Sequence, residues 1–286
     1  MNPSPPYAIE QLAVPADVLK WSVGQPYLSA DVSPADVMHA VKAVEVDGSV
    51  SAVGFIRKAS GDRDHPWVTV LGEDARIVDL LLDLLARYGD LPSGGLIGGV
   101  TAPARLRELL SDTLLARSPS IRWGLAEQGA PWDWWWTSAV RPATSPHEVQ
   151  WLDANDAAVA DQIRALLAVA SPTHWAPPEH PHVERWAGIK SADGSLAACV
   201  AETVRIPGRP HLASVATHPK FRGQGMAAEV TGWITAALLA EGVPLVSLGM
   251  YAHNDVARRV YTRLGYTCAY SWFSSGFASM PASERC

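Results

Sequence analysis

Apolar and polar residues follow each other along residues 148–277 in a pattern that predicts strands and helices. Short apolar runs bounded by turn residues predict strands, and longer runs with helical apolar spacing predict helices. The pair Asp193-Gly194 supplies the positive φ angles of a tight hairpin turn. The predicted strands are Val149–Leu152, Val183–Ser191, Leu196–Val204, His211–Thr217, Leu245–Met250 and Tyr266–Phe277, and the predicted helices are Ala157–Val169, Met226–Glu241 and Asp255–Leu264.

The first half of the chain shows a similar alternation. Its predicted strands are Ser51–Arg57, Trp67–Leu71, Leu96–Val100 and Trp132–Val140, and its predicted helices are Asp74–Tyr88 and Pro103–Ala116. Residues 1–30 contain several prolines and are predicted to form an irregular arm with little helix. The Pro-containing segment Arg141–Pro146 is the predicted boundary between domains 1–145 and 146–286. The predicted fold class is α/β with a mixed sheet.

Composition narrows the choice of protein class. A chain of 286 residues fits two domains, and its net charge of −6 provides no general footprint for nucleic acid. No apolar run is long enough to span a bilayer, and no secretory signal is visible, so we expect no membrane partner and a cytoplasmic location. The three cysteines have no CxxC pair, which argues against a disulfide framework and a zinc site. A small-molecule partner fits this composition better.

The segment Arg222-Gly223-Gln224-Gly225-Met226-Ala227 lies between a predicted strand and a predicted helix. Glycines let the backbone approach a ligand, and the free N–H groups of a helix start favour phosphate, so the segment outlines an anion site. A tight turn is the simpler alternative. The preceding antiparallel strands argue against a dinucleotide-binding fold, and no P-loop string is present.

Two motifs resemble those of the GNAT superfamily of N-acetyltransferases. Val215-x-Thr217-x-Pro219-x-x-Arg222-Gly223-x-Gly225-x-Ala227 is similar to that family's Q/R-x-x-G-x-G/A pyrophosphate loop, and residues 254–266 are similar to its N-x-x-A-x-x-x-Y-x-x-x-G-[FY] ending. The resemblance covers residues 148–277. It implies a GNAT fold that uses acetyl-CoA or another acyl-CoA as cosubstrate, without a metal.

The resemblance also implies roles for individual residues. Two strands are expected to splay apart, one containing Val215, Ala216 and Thr217 and the other being Leu245–Met250. Their free backbone groups would bind pantetheine, and the Val215 amide would polarise the thioester carbonyl. Asn254 is expected to bond pantetheine amides, with a plain helix cap as the alternative. Tyr261 inherits the role of general acid toward the CoA thiolate, with a half-buried core aromatic as the alternative.

The general base is less clearly indicated. Glu202, His211 and the histidines of the loop 171–182 are the candidates. His211 is favoured because it begins the fourth strand and imidazole titrates near neutral pH, although a solvated strand end is the simpler interpretation. His174, His180 and His182 with Glu179 lack the fixed spacing of a zinc site. The resemblance places Trp175 beside the acceptor pocket.

The order of elements in residues 49–140 suggests a duplicated, degenerate GNAT-like unit, similar to glycine N-acyltransferase-like members. Residues 71–76 stand where its phosphate loop would be and carry two carboxylates, which would repel pyrophosphate. The function expected is acyl transfer from acyl-CoA to a primary amine of a small molecule. The alternatives are a protein-substrate acetyltransferase, a non-catalytic acyl-CoA-binding regulatory module, and a protein-interaction scaffold.

Overall fold

The computed structural model describes residues 7–22, 26–59, 64–89, 97–116, 123–125, 130–141 and 146–279. The chain divides into two compact units, one formed by Met1–Trp132 with Tyr270–Cys286 and the other by Asp133–Ala269. Residues 142–145 of the predicted boundary Arg141–Pro146 lie outside the described residues, so the predicted division at residue 145 stays a prediction. Cys286 also lies outside them. The predicted mixed α/β fold is confirmed.

The first unit is built on a mixed sheet whose strands occur in the order β1-β2-β3-β4-β5-β13, with β6 paired to β13. Strands β1 to β4 are antiparallel neighbours, and β5 runs parallel to β4. The amphipathic helix α2 follows β4 and buries Ile77, Leu81 and Leu84 in this unit's core. Its strands are β1 (Tyr7–Gln11), β2 (Val37–Glu45), β3 (Val50–Arg57), β4 (Trp67–Gly72), β5 (Gly99–Pro103), β6 (Trp123–Leu125) and β13 (Thr267–Ser279), and its helices are α1 (Pro26–Asp31), α2 (Asp74–Tyr88) and α3 (Arg107–Ala116).

The prediction of an irregular N-terminal arm with little helix is wrong. Residues Tyr7–Gln11 form an edge strand, Pro15–Ser22 form a 3-10 helix, and α1 buries Tyr27 and Leu28. The proline that begins α1 is compatible with a helix because the first helical N–H has no partner inside the helix in any case. Strand β2 was not predicted. The bounds of the predicted strand Leu96–Val100 are also wrong, since β5 begins at Gly99 and ends at Pro103.

Residues 71–76 of the first unit do not form an open loop. Gly72 has a φ of +130°, and a Cβ built there would stand 2.4 Å from the carbonyl oxygen of Ser51. Asp74 binds Arg105, and Arg76 binds Glu45, so the charged side chains of this segment are held in ion pairs. The interpretation of this unit as a degenerate repeat stays a prediction.

The second unit contains a sheet in the order β7-β12-β11-β10-β9-β8. The predicted meander is confirmed, because β8 to β11 are antiparallel neighbours and Gly194 has the positive φ of the predicted hairpin turn. Strand β12 then runs parallel to β11. The strands are β7 (Trp132–Thr137), β8 (Val149–Leu152), β9 (Val183–Lys190), β10 (Leu196–Ile206), β11 (Arg209–Thr217) and β12 (Val246–Tyr251), and the helices are α4 (Ala157–Ala170), α5 (Met226–Ala240) and α6 (Asp255–Leu264).

The helices of the second unit cover both faces of its sheet. Successive strand residues point to opposite faces, and in β10 Cys199 and Ala201 pack with α4, while Ala198 and Val200 pack with α5. Asp156 caps α4 by accepting a hydrogen bond from the Ala158 amide at 2.8 Å, as the sequence predicts. Within the described part of the chain, no helix is both long and apolar enough to cross a bilayer.

Candidate active site

The cleft begins where strands β11 and β12 part. Their parallel pairing joins His211 to Ser247 and Leu212 to Leu248, at the start of both strands. Beyond this point β11 bulges on its other side, where Ala213 and Ala216 pair with Ala201 and Cys199 of β10. Three steps along β11 therefore match two along β10, which places one extra residue in β11. Pairing with β10 resumes after the bulge, at Ala216 and Thr217.

Ser214 fixes this bulge. Its φ of +52° lies in the left-handed region that non-glycine residues rarely adopt. The Ser214 hydroxyl donates a hydrogen bond to the Ala176 carbonyl oxygen at 2.7 Å and accepts one from the Ala176 amide at 3.3 Å. Both contacts hold the bulge against the loop that precedes β9. The sequence pattern had no signal for this irregularity, since serine is not a usual marker of positive φ.

The predicted anion-binding segment forms a loop that leads into α5. Gly223 and Gly225 have φ values of +80° and +86°, and Gly225 is the N-cap of the helix. Among the described residues no side chain caps this helix end, so the free amides at its start lie at the positive end of the helix dipole. The Arg222 guanidinium lies 3.4 Å from the carbonyl oxygens of both Thr217 and Ala170. This geometry suits an anionic ligand.

A buried carboxylate lies behind the loop and contacts a histidine ring. Glu229, one turn into α5, is 5% exposed, and one of its oxygens lies 2.8 Å from Nδ1 of His147. A Cβ built on Gly225 would stand 3.7 Å from the other Glu229 oxygen, Oε1, which is an ordinary van der Waals contact. The loop thus needs glycine at position 225 for its φ angle rather than for lack of space. Sequence reasoning did not identify this pair.

A cavity of about 580 Å³ connects the loop, the bulge and helix α6 within the second unit. The described residues that line it include no aspartate or glutamate. Gln224 and Lys220 are exposed and lie outside this lining. The lining consists of Ala170, Val215, Ala216, Thr217, Phe221, Arg222, Gly223, Gly225, Met226, Ala227, Ala228, Asn254, Val256, Ala257, Val260, Tyr261 and Arg263.

Asn254 and Tyr261 both face this cavity. Asn254 is the N-cap of α6, and its Oδ1 accepts a hydrogen bond from the Ala257 amide at 3.1 Å. Its side-chain NH₂ group can still donate to a ligand. Tyr261 lies two turns further along the helix and is 5% exposed. Burial raises the pKa of its hydroxyl, which therefore keeps its proton at neutral pH, and it makes no hydrogen bond to any described residue.

His211 and Glu202 lie outside the cavity lining and differ in environment. Nδ1 of His211 is 3.0 Å from the Ser247 hydroxyl oxygen, and that hydroxyl lies 3.3 Å from the Pro210 carbonyl oxygen. Glu202 is 5% exposed, and its Oε2 accepts a 2.6 Å hydrogen bond from Nε of Arg185. The NH1 and NH2 groups of Arg185 also bind both carboxylate oxygens of Glu241 at 2.8 Å.

In the loop 171–182, His180 packs against the rings of both Trp175 and His182. Trp175 contacts the His180 ring at 4.3 Å between centroids, and the Arg205 guanidinium lies 4.5 Å from the Trp175 ring centroid. His174 is held by its own turn, through a 2.9 Å contact between Nδ1 and the Ser171 carbonyl oxygen. The described residues contain no group of three or more His, Cys, Asp or Glu side chains placed to hold a metal ion.

The cavity meets two requirements for the CoA moiety that the motifs imply. Thr217 Oγ1 is buried at the cavity wall with no hydrogen-bond partner among the described residues, so it has a hydrogen bond to offer a ligand. The uncapped amides of α5 and the Arg222 guanidinium supply positive charge beside the open glycine loop. The donor set thus fits a pyrophosphate followed by an amide-containing arm.

Comparison with known proteins agrees with this geometry. Residues 187–273, which include β11, the loop and α6, match the family described as FR47-like protein. The fold is similar to a GCN5-related N-acetyltransferase from Sphaerobacter thermophilus, with 14% identity, 97% of each chain covered and a TM-score of 0.51. It is also similar to an acetyltransferase from the GNAT family of Colwellia psychrerythraea, with 12% identity, coverage of 95% of this chain and 100% of that chain, and a TM-score of 0.50.

Residues 187–273 match one family model, and the chain has the fold of the GNAT acetyltransferases, as its motifs at residues 222–227 and 254–266 predict. The neighbours share the fold at low identity.

Proposed function

We propose that this protein transfers an acyl group from an acyl-CoA, acetyl-CoA in the first instance, to a primary amine of a small molecule by direct attack. The observation that carries the proposal is that Tyr261, whose buried hydroxyl has a raised pKa, lines the same cavity as the anion-binding loop. The proposed cosubstrate groups are the Arg222–Ala227 loop, the backbone of Val215, Ala216 and Thr217, and the amide of Asn254.

The proposed reaction forms a C–N bond and breaks the C–S bond of the thioester. The amine attacks the carbonyl carbon, and an amide N–H at the bulge, that of Val215 or its neighbour, stabilises the negative charge on the carbonyl oxygen. As the tetrahedral centre collapses, the thiolate takes the Tyr261 proton, and the proton released by the amine passes to a base or to water. Tyr261 then recovers its proton from solvent.

Substitution of Tyr261 by Phe tests the role of its hydroxyl. We expect turnover to fall about a hundredfold or more, the usual contribution of general acid catalysis, while CoA binding stays within a few-fold of wild type. The measurements are free-thiol release and calorimetric titration with CoA. Unchanged turnover would contradict the assignment.

The matched control is Tyr266→Phe. Tyr266 is also buried, but its hydroxyl contacts Thr235 Oγ1 at 2.7 Å rather than the cavity. This variant is expected to lose stability and keep its turnover per folded molecule. Loss of turnover in both variants would indicate damage to the shared core, in which the two rings lie 5.9 Å apart.

We further propose His211 rather than Glu202 as the base. Because the Ser247 hydroxyl can donate to the Pro210 carbonyl oxygen, its oxygen can accept from Nδ1–H of His211, which makes Nε2 the basic nitrogen. Glu202, by contrast, is engaged with Arg185. His211→Gln should abolish the acidic limb of the pH dependence of kcat/KM, and Glu202→Gln should leave it in place. The opposite pattern would assign the base to Glu202.

A small-molecule acceptor and a cytoplasmic location are part of the same proposal. A panel of amino acids, aryl amines and peptides carrying free N-termini, each read by thiol release, separates a small-molecule enzyme from a protein acetyltransferase. CoA binding without turnover on any amine would favour a regulatory binding module. Failure of acetyl-CoA to raise the melting temperature would favour a scaffold.

A further inference from the structure

Helix α6 contains three arginines with different surroundings. Arg258 lies 2.9 Å from the buried carboxylate of Asp133 and donates a 2.6 Å hydrogen bond to the Ala252 carbonyl oxygen. Arg259 is exposed and does not line the cavity. Arg263 is exposed but contributes to the cavity wall, and it makes no ion pair with any described residue. One cation of this helix is thus directed to the ligand cleft.

The position of Arg263 follows from the helix period. Val256, Val260 and Arg263 are spaced four and three residues apart, so they form one stripe along α6, and all three line the cavity. Asn254, Ala257 and Tyr261 form the neighbouring stripe and also line it. The cavity wall formed by α6 therefore has an apolar surface with a guanidinium at its C-terminal end.

The cavity presents two separate cations, Arg222 beside the loop and Arg263 on helix α6, and no carboxylate among its described lining residues. Arg222 and the uncapped amides at the start of α5 are sufficient to bind one pyrophosphate. A second guanidinium on another element matches a second, distinct anionic group of the same ligand. CoA carries such a group, because its ribose bears a 3′-phosphate monoester apart from the pyrophosphate.

We propose that Arg263 binds the 3′-phosphate of CoA and makes the protein selective for CoA over 3′-dephospho-CoA. This inference rests on the proposed function. Arg263 acts in it as a specificity-determining residue with no part in the chemical step. The side chain is long enough to move toward the ligand, and the absence of a competing ion pair means that no described interaction has to be broken first.

The experiment compares CoA and 3′-dephospho-CoA by calorimetric titration of wild-type protein, Arg263→Gln and Arg259→Gln. Wild type is expected to bind CoA about tenfold more tightly than dephospho-CoA, the scale of one charge-assisted phosphate contact. Arg263→Gln should lose this difference by weakening CoA binding alone. Arg259→Gln, which removes an exposed charge from the same helix, should keep it.

Each other outcome has a definite meaning. An equal loss for both ligands in Arg263→Gln would place the guanidinium at the pyrophosphate or the pantetheine arm and overturn the inference. A wild type that binds both ligands equally well would also overturn it, while leaving the proposed function intact. A wild type that binds neither ligand would overturn the proposed function itself.

Discussion

Gly225 shows how one residue connects the backbone to the ligand cleft. Its φ of +86° allows the chain to enter α5 with the first amides of the helix facing the cavity. An L-residue in this conformation costs about 1–2 kcal/mol because its Cβ crowds the following carbonyl oxygen. We expect Gly225→Ala to lower the free energy of unfolding by about this amount and to weaken CoA binding, as measured by urea unfolding and calorimetry.

Gly242→Ala is the control for this strain. Gly242 has a φ of +92°, nothing lies within 4 Å of a Cβ built on it, and it lies beyond the other end of α5. It should lose similar stability and bind CoA like wild type. If the two variants bound CoA equally well, the conformation of Gly225 would have no part in holding the ligand loop.

Residue patterns predicted the two ends of the site but not the bulge between them. The glycines at 223 and 225 mark positive φ, and the spacing of Asn254 and Tyr261 puts both on one helix face, so these features are visible in sequence. The bulge depends on Ser214, whose φ of +52° is stabilised by the backbone of Ala176, far away in sequence. Long-range contacts of this kind leave no local pattern.

At the scale of elements, the second unit was predicted well because its strands are separated by strong turn residues. Strand β2 was missed for a physical reason. Its pairing with β3 contains two register irregularities, so its buried positions do not alternate regularly. The strand forms because β1 and β3 pair with its two edges, which is information that a local pattern does not contain.

Arg185 joins strand β9 to three other elements of the second unit. From β9 it binds Glu202 of β10 and Glu241, the C-cap of α5, and its guanidinium lies 4.4 Å from the Trp151 ring of β8. Removing the cation leaves Glu202, which is 5% exposed, as a buried charge without its arginine. We expect Arg185→Met to lower the free energy of unfolding by about 3 kcal/mol, measured by urea unfolding.

The double variant Arg185→Met with Glu202→Met separates the charge penalty from lost packing. Apolar replacements of both partners of a buried ion pair are often neutral or stabilising, so the double variant should recover most of the loss. A double variant no more stable than Arg185→Met would show that the arginine acts through its contacts with Glu241 and Trp151. High salt would then weaken the contribution of the exposed Glu241 ion pair, whereas the packing on Trp151 would not be screened.

At the scale of the whole molecule, each unit has its own buried core and its own tyrosines with raised pKa values. Desolvation, followed by the contact with Asp79, raises the pKa of Tyr7 to about 12. Desolvation also raises the pKa of Tyr270 to about 12. Tyr261 and Tyr266 in the second unit are also raised by burial. At alkaline pH these hydroxyls therefore stay protonated in the folded protein, whereas they ionise in the unfolded chain.

This difference fixes the sign of the alkaline response. A folded pKa above the unfolded value of 10.0 means that stability is full below that pH and is lost as the pH rises through the folded pKa. Each raised tyrosine adds a slope of up to about 1.4 kcal/mol per pH unit in that window. Urea unfolding at a series of pH values should show a steep decline in the free energy of unfolding above the ordinary tyrosine pKa, with tyrosinate absorbance appearing together with unfolding.

Tyr261→Phe should flatten this decline because phenylalanine has no proton to release. A decline of equal slope in this variant, or tyrosinate absorbance that precedes unfolding, would show that these hydroxyls ionise in the folded state.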